Sequence, residues 1–295
     1  MWTWKRDTQG PSLAYLRVSM RPTAEALHRR AIATRIVQVF DRHVPPRAAL
    51  LPGSAGDGSA DEYSDLDLIA YYDRLPDPTE VEAWRAALEV PEPAPMLDSG
   101  WSDTFTLGGV ECQAGGMLVA AVDECVSDLL AGREAGSARH QKIAQGLLDG
   151  LPIRDDGLIA AWRARVAEFP DALAEAMATH HFSIFPYWLL WEHIAHRDAR
   201  LWEVQSLLDG AFNVVGALSA ANRRYFTSFQ FKRMRQHLAG LEAAPGDLAE
   251  RLESLFELDR PAAADRLRAL VAETVEVVER RLPGVDTTAI RKRLG

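Results

Sequence analysis

The sequence predicts an α/β (α+β) domain with a short mixed sheet, followed by an all-helical domain. Three observations carry this. The chain has 295 residues, too many for one small core, and at about 150 residues per domain its length suggests two. Between residues 24 and 130, short strand-like runs alternate with segments of helical period. Beyond Gly150 the apolar residues recur almost wholly at helical spacing. The expected division is 1–150 and 151–295, with 1–20 as a flexible lead-in and Leu151-Pro152-Ile153-Arg154-Asp155-Asp156-Gly157 as the junction.

The elements follow in order. Ala24, Leu27, Ala31, Ile32, Ile36, Val37 and Phe40 lie at helical spacing, so a helix is expected from about Thr23 to His43, stopped by Pro45 and Pro46. Ala48 to Leu51 is a short apolar run entering Pro52-Gly53-Ser54, which reads as a strand running into a small, polar, glycine-rich turn. Asp65 to Tyr72 (DLDLIAYY) reads as a second strand with an apolar face and a face bearing two acids. Thr79 to Val90 is expected to be a helix opened by Thr79 and Glu82 and closed by Pro91, Pro93 and Pro95. Thr104 to Leu107 and Val110 to Val119 read as strands joined by a tight Gly108-Gly109 hairpin turn, with helical period returning from Val122 to Leu130. Further helices are expected at 160–169, 173–180, 186–195, 200–225, 231–241, 245–256 and 262–281.

Composition narrows the class. Hydrophobic content of 47% and charged content of 25% are ordinary for a folded globular chain. A net charge of −9 suits a nucleic-acid backbone poorly and tolerates a cationic partner. Cys112 and Cys125 are too few for a disulfide framework or a four-cysteine zinc site and read as small buried apolar residues. No apolar run approaches the roughly 20 residues of a membrane span, and the first residues lack a signal core, so a cytoplasmic protein with no membrane partner is expected. No pattern speaks to the oligomeric state.

The segment Leu51 to Asp73 carries the chemistry. Residues i and i+2 of a strand share a face, so Asp65 and Asp67 set two carboxylates side by side. Such a pair repels itself unless a cation sits between. Mg²⁺ is the natural ion, since it takes one or two carboxylates plus substrate phosphates, and two such ions can clamp an in-line displacement at phosphorus. Glycine at 53 lets the backbone approach a phosphate, and backbone N–H groups with the Ser54 hydroxyl can hold one. Taken singly, Gly-Ser is an ordinary turn and Asp-x-Asp an ordinary solvent-facing strand.

GSAGDGSADEYSDLDLIAYYD, with Gly-Ser, a loop of about ten residues, and Asp-x-Asp after Ser64, resembles the signature of the DNA-polymerase-beta-like nucleotidyltransferase superfamily. The resemblance covers about residues 24–130, and the helical remainder looks like the C-terminal domains of small-molecule nucleotidyltransferases of the aminoglycoside and lincosamide kind. It implies that Gly53, Ser54 and Ser64 serve the nucleoside triphosphate and that Asp65 and Asp67 bind two Mg²⁺ ions. A third carboxylate on a later strand is also implied. Glu111 is the only acid of Val110-Glu111-Cys112-Gln113-Ala114, where the family more often has Asp, and Asp103 is its competitor. Ala221-Asn222-Arg223-Arg224-Tyr225-Phe226 followed by Lys232 resembles a stretch that completes the nucleotide site, with Lys232 on phosphate and Arg224 behind it.

The aromatic segment from His180 to His196 offers Tyr187, Trp188 and Glu192 for an acceptor pocket, with Asp103 from the first domain, against the plainer reading of Trp188 and Trp191 as interdomain core. His193 and His196 share a helical face but lack the further ligands zinc needs. Glu192, Asp198 and Glu111 are the candidate general bases. The expected reaction moves a nucleoside monophosphate from a triphosphate, ATP above others, to a hydroxyl of a small molecule. The rivals are transfer to a macromolecule (a protein or a tRNA) and a nucleotide-binding module without catalysis.

Overall fold

The structure, a computed structural model, describes residues 21–90 and 100–295. The expected lead-in and the prolines at 91, 93 and 95 lie outside the described residues.

The first half builds a sheet between two helical layers. Helix α1 (Ala24–His43) is capped by Thr23, whose side chain accepts from the Ala26 N–H. Strand β1 (Ala48–Leu51) runs into a short helix, α2 (Gly53–Asp57), then β2 (Leu66–Tyr72), α3 (Pro78–Leu88), β3 (Gly100–Leu107), β4 (Val110–Leu118), α4 (Val119–Leu130), α5 (Ala138–Asp149) and β5 (Leu151–Arg154). Among the described residues these strands form one mixed sheet in the order β3-β4-β2-β1-β5. Strands β2 and β4 are parallel, and the other neighbouring pairs are antiparallel.

The second half is helical: α6 (Leu158–Glu168), α7 (Asp171–His181), α8 (Tyr187–Ala195), α9 (Arg200–Ala221), a 3-10 turn (Ser228–Arg233), α10 (Met234–Ala239), α11 (Leu248–Ser254), α12 (Arg260–Arg281) and α13 (Thr288–Leu294). No helix is long and apolar enough to cross a membrane among the described residues.

Alternation along β2 divides the core. Leu66, Leu68, Ala70 and Tyr72 face α1 and α3, where Phe40, Trp84, Trp101 and Phe105 pack ring on ring. Tyr71 faces the other way with Leu50 of β1, and the cluster they join runs without interruption through α4, α6, α7, α9 and α12. Tyr71 meets Trp162 of α6 edge-on at 5.0 Å. The helical half is therefore packed directly on one face of the sheet.

Several sequence expectations are corrected. Leu151 to Arg154 pairs with β1 as an edge strand, where a junction was expected. Helix α3 begins earlier, because Asp77 and Glu80 make a reciprocal capping box in place of Thr79 and Glu82. The expected helix 200–225 stops at Ala221, and the start of the expected helix 231–241 is 3-10. Helices α5 and α13 were not anticipated, and the Gly53-Ser54 turn is helical.

Candidate functional site

The site is built where β1 ends and β2 begins. Gly53 adopts φ +65°, which glycine alone takes without strain, and it opens α2. Gly56 permits α2 to lie on β1: a Cβ there would fall 2.0 Å from the Leu51 carbonyl oxygen. The loop after α2 is held by α1. Thr23 donates its hydroxyl to the Ala60 carbonyl at 2.6 Å, Arg29 Nε donates to the Ser64 carbonyl at 2.8 Å, and Arg30 donates to the carbonyls of Ala55 and Gly56. A loop that looks merely small and polar in sequence is thus fixed at both ends by one helix.

That loop delivers Asp65 and Asp67. Asp65, expected inside the strand, lies just before it and is exposed; Asp67 is its second residue and half-buried. A Cβ built on Gly53 would have Asp67 Oδ2 as its nearest neighbour outside the adjoining residues, at 4.0 Å. The Asp67 carboxylate therefore faces the glycine turn. Burial pushes the Asp67 pKa above the usual carboxylate range and the charge of Asp65 pushes it further, while Lys142 and Lys232 pull it down.

The two lysines come from different parts of the helical layer. Lys142 is on α5 and Lys232 on the 3-10 turn, and both ammonium groups lie against the ring of Phe229, at 4.7 and 5.8 Å from its centroid. Phe229 is 51% exposed, so the ring and both cations open to solvent beside the acids. The Ser54 hydroxyl hydrogen-bonds to none of the described residues and is free for a ligand. Lys142 and Phe229 were missed by sequence reasoning, which assigned no element to residues 131–149 or 226–230.

The third carboxylate is different. Strand β4 pairs Asp67 with Gln113, so the place beside Asp67 holds a neutral amide. Glu111 is exposed on the same face as Gln113, two residues earlier, opposite Thr106 of β3. Among the described residues, no group of three or more His, Cys, Asp or Glu side chains lies in metal-holding geometry. The expected trio Asp65, Asp67 and Glu111 does not form such a group: Glu111 comes one residue before Cys112, the partner of Leu66, and so lies level with Asp65 and not beside Asp67. The pair Asp65 and Asp67 alone still fits a divalent cation by its chemistry, since Mg²⁺ commonly takes two carboxylates and completes its shell with phosphate oxygens and water.

Other expected residues are elsewhere. Asp103 points to the opposite face of the sheet, 1% exposed, where Arg85 donates Nε and Nη2 to its two oxygens at 2.8 and 2.9 Å. It is the partner of a buried guanidinium and lines no acceptor pocket. The Ser64 hydroxyl is engaged in the loop, donating to Asp61 Oδ1 and accepting from the Asp61 N–H. Arg224 lies against Gly240, where a Cβ would meet its Nη1 at 2.2 Å, and beside His237, within the helical half.

The aromatic segment is core. Tyr187 is fully buried, and burial together with Glu203 pushes its hydroxyl up to about 12. Trp188 is buried and donates its indole N–H to the Arg293 carbonyl at 2.9 Å. Glu192 is on the outer side of α8, where it lines an open depression with His193, His196 and Arg197. The two cysteines are buried and unpaired, and burial pushes both thiols up to about 11.

No protein-family model matches this chain, and no curated protein matches it. Among solved structures it is similar to a nucleotidyltransferase-like protein from Exiguobacterium sibiricum, at 9% identity and a TM-score of 0.41, over 87% of this chain and 80% of that one.

Proposed function

We propose that this protein is a nucleotidyltransferase that moves a nucleoside monophosphate from a nucleoside triphosphate to a hydroxyl of a small molecule, with Mg²⁺ held by Asp65 and Asp67. The observation that carries this reading is the Asp67 carboxylate facing the backbone of Gly53, with Asp65 beside it and two lysines acting on it. Carboxylates, a backbone a phosphate can approach, and free cations are the three things a triphosphate with its metal requires.

In this reading the N–H groups after Gly53 and the Ser54 hydroxyl hold the β and γ phosphates. Lys142 and Lys232 offset the charge that gathers on pyrophosphate as the bond to the α phosphorus breaks. Bound Mg²⁺ would supply Lewis-acid charge at phosphorus and lower the pKa of the attacking hydroxyl. Asp65 and Asp67 hold the reacting groups in line, so the protein's share is placement and charge neutralisation. ATP is the natural donor. The net charge of −9 favours a small or cationic acceptor over a nucleic-acid backbone.

A second reading, a nucleotide-binding module without turnover, is favoured by one observation: Gln113 stands beside Asp67 where a third carboxylate would complete the set. Pyrophosphate release with Mg²⁺ and ATP, across a panel of aminoglycosides and lincosamides, separates the two. Acceptor-dependent release that disappears in Asp67→Asn supports transfer. Triphosphate binding with silence toward every acceptor supports the module, and failure to bind any triphosphate overturns both.

A further inference from the structure

Lys232 sits at the exposed end of a short 3-10 turn, between Phe231 and Arg233. None of the residues of the 3-10 turn Ser228–Arg233 is fully buried; Phe231 packs part-buried against Phe212 and Phe226, with ring centroids 6.1 and 6.0 Å away, while Phe229 and Lys232 are exposed. Its start is fixed by Thr227, whose N–H and hydroxyl both donate to Gln230 Oε1, at 2.7 and 2.9 Å. Its end carries Lys232 and then Arg233.

Arg233 reaches across to the first half of the chain. Its Nη1 donates to the Ser59 hydroxyl, and its Nη2 donates to the Ser59 carbonyl at 3.1 Å. Ser59 is itself tied to the end of α2, its N–H donating to Asp57 Oδ1 at 2.8 Å and its hydroxyl to the same oxygen. Asp61, two residues on, is held below the usual carboxylate range mainly by the Ser64 hydroxyl, with Arg233 adding to the effect. The guanidinium fork thus joins the turn bearing Lys232 and Phe229 to the segment that opens with Gly53 and Ser54.

We propose that Arg233 is a positioning residue: its fork on Ser59 holds Lys232 at the polyphosphate end of the nucleotide site. This rests on the reading of Gly53, Ser54, Asp65 and Asp67 as a triphosphate site. A lysine on a flexible stem has many positions open to it, and fixing the backbone one residue away removes much of that freedom. A lysine at Arg233 would keep the charge but lose the two-pronged contact.

The test is a double-mutant cycle on binding of α,β-methylene-ATP and of AMP, both with Mg²⁺, using the full chain. Arg233→Ala and Lys232→Ala are each expected to weaken α,β-methylene-ATP by about tenfold and to leave AMP unchanged, because AMP lacks the β and γ phosphates. The double variant should lose no more than Lys232→Ala alone, and Arg233→Lys should not restore affinity. Additive losses, equal losses for AMP, or an unchanged Arg233→Ala would overturn the role of Arg233 while wild-type triphosphate binding leaves the nucleotide reading intact. A wild type that binds AMP and α,β-methylene-ATP equally weakly would overturn both.

Discussion

Asp67 and Gly53 face one another across the start of the sheet: the position a methyl would take on Gly53 has the Asp67 carboxylate 4.0 Å away. This brings the acid pair and the glycine turn, eleven residues apart between Ser54 and Asp65 in the chain, into one small volume.

Gly53→Ala is expected to damage the site through the backbone. The added carbon has room, since its nearest contact is at van der Waals distance, but φ of +65° costs a residue with a Cβ about 1–2 kcal/mol. Urea denaturation should show that loss. Calorimetric titration should show weakened triphosphate binding, because relief of the strain turns the N–H groups away from the site.

Asp67→Asn should trade activity for stability. The folded state raises the Asp67 pKa above its unfolded value, so the charged carboxylate is a burden above that range and none below the unfolded value of 3.8. The metal-free variant should melt higher than wild type at pH 7, and the gain should vanish as the pH falls through the ordinary aspartate range. Turnover, measured by pyrophosphate release, should fall by about 100-fold or more.

Lys142→Ala should weaken triphosphate binding by about tenfold with little change in melting temperature, since the side chain is exposed. An unchanged affinity would remove Lys142 from the site and leave Phe229 with Lys232 alone.

Asp103→Ala should destabilise strongly without touching nucleotide binding. Loss of one partner leaves the Arg85 guanidinium buried and unneutralised, worth about 3–5 kcal/mol in such pairs. Chemical denaturation gives the stability, and triphosphate affinity measured on the folded fraction should match wild type.

Mild acid should loosen the helical half. Burial holds His181 and His237 down at about 4, with His180 and Arg224 adding to it respectively. The folded values lie below the unfolded value of 6.5, so their contribution is intact above 6.5 and is lost as pH falls toward 4. At pH 5 each costs about 2 kcal/mol. Urea midpoints at pH 7.5 and pH 5 should show the drop, and His237→Gln, which can still bond the Ser219 hydroxyl, should remove about half of it.

Local signals were legible where a short stretch settles the matter. Thr23 to His43 has its cap, its apolar spacing and its stop within reach of one another, and α1 is found there. The Gly108-Gly109 hairpin and the alternation in DLDLIAYY are likewise near-neighbour patterns. Helix α5 was missed: its buried side includes Gln141, whose amide is satisfied by the Ala135 carbonyl and the Phe226 N–H, 85 residues away. Tyr187 and Trp188 were open to a pocket reading beside the core one because an aromatic side chain looks the same in sequence whether it lines a cleft or fills a core.

The sequence alone determined the order of most elements, the alternating strand that carries Asp67 and the Gly53-Ser54 segment before it, because alternation and backbone stereochemistry act over a few residues. Tertiary structure decided the rest. Strand register set Gln113 beside Asp67 and put Glu111 one residue before the Leu66–Cys112 pair. The pleat sent Asp103 to the far face, to Arg85, and the packing of helices on the sheet brought Lys142 and Lys232 to the same carboxylate. Those relations depend on how distant segments share one limited surface, and a charge shows no trace of its eventual partner in the residues on either side of it.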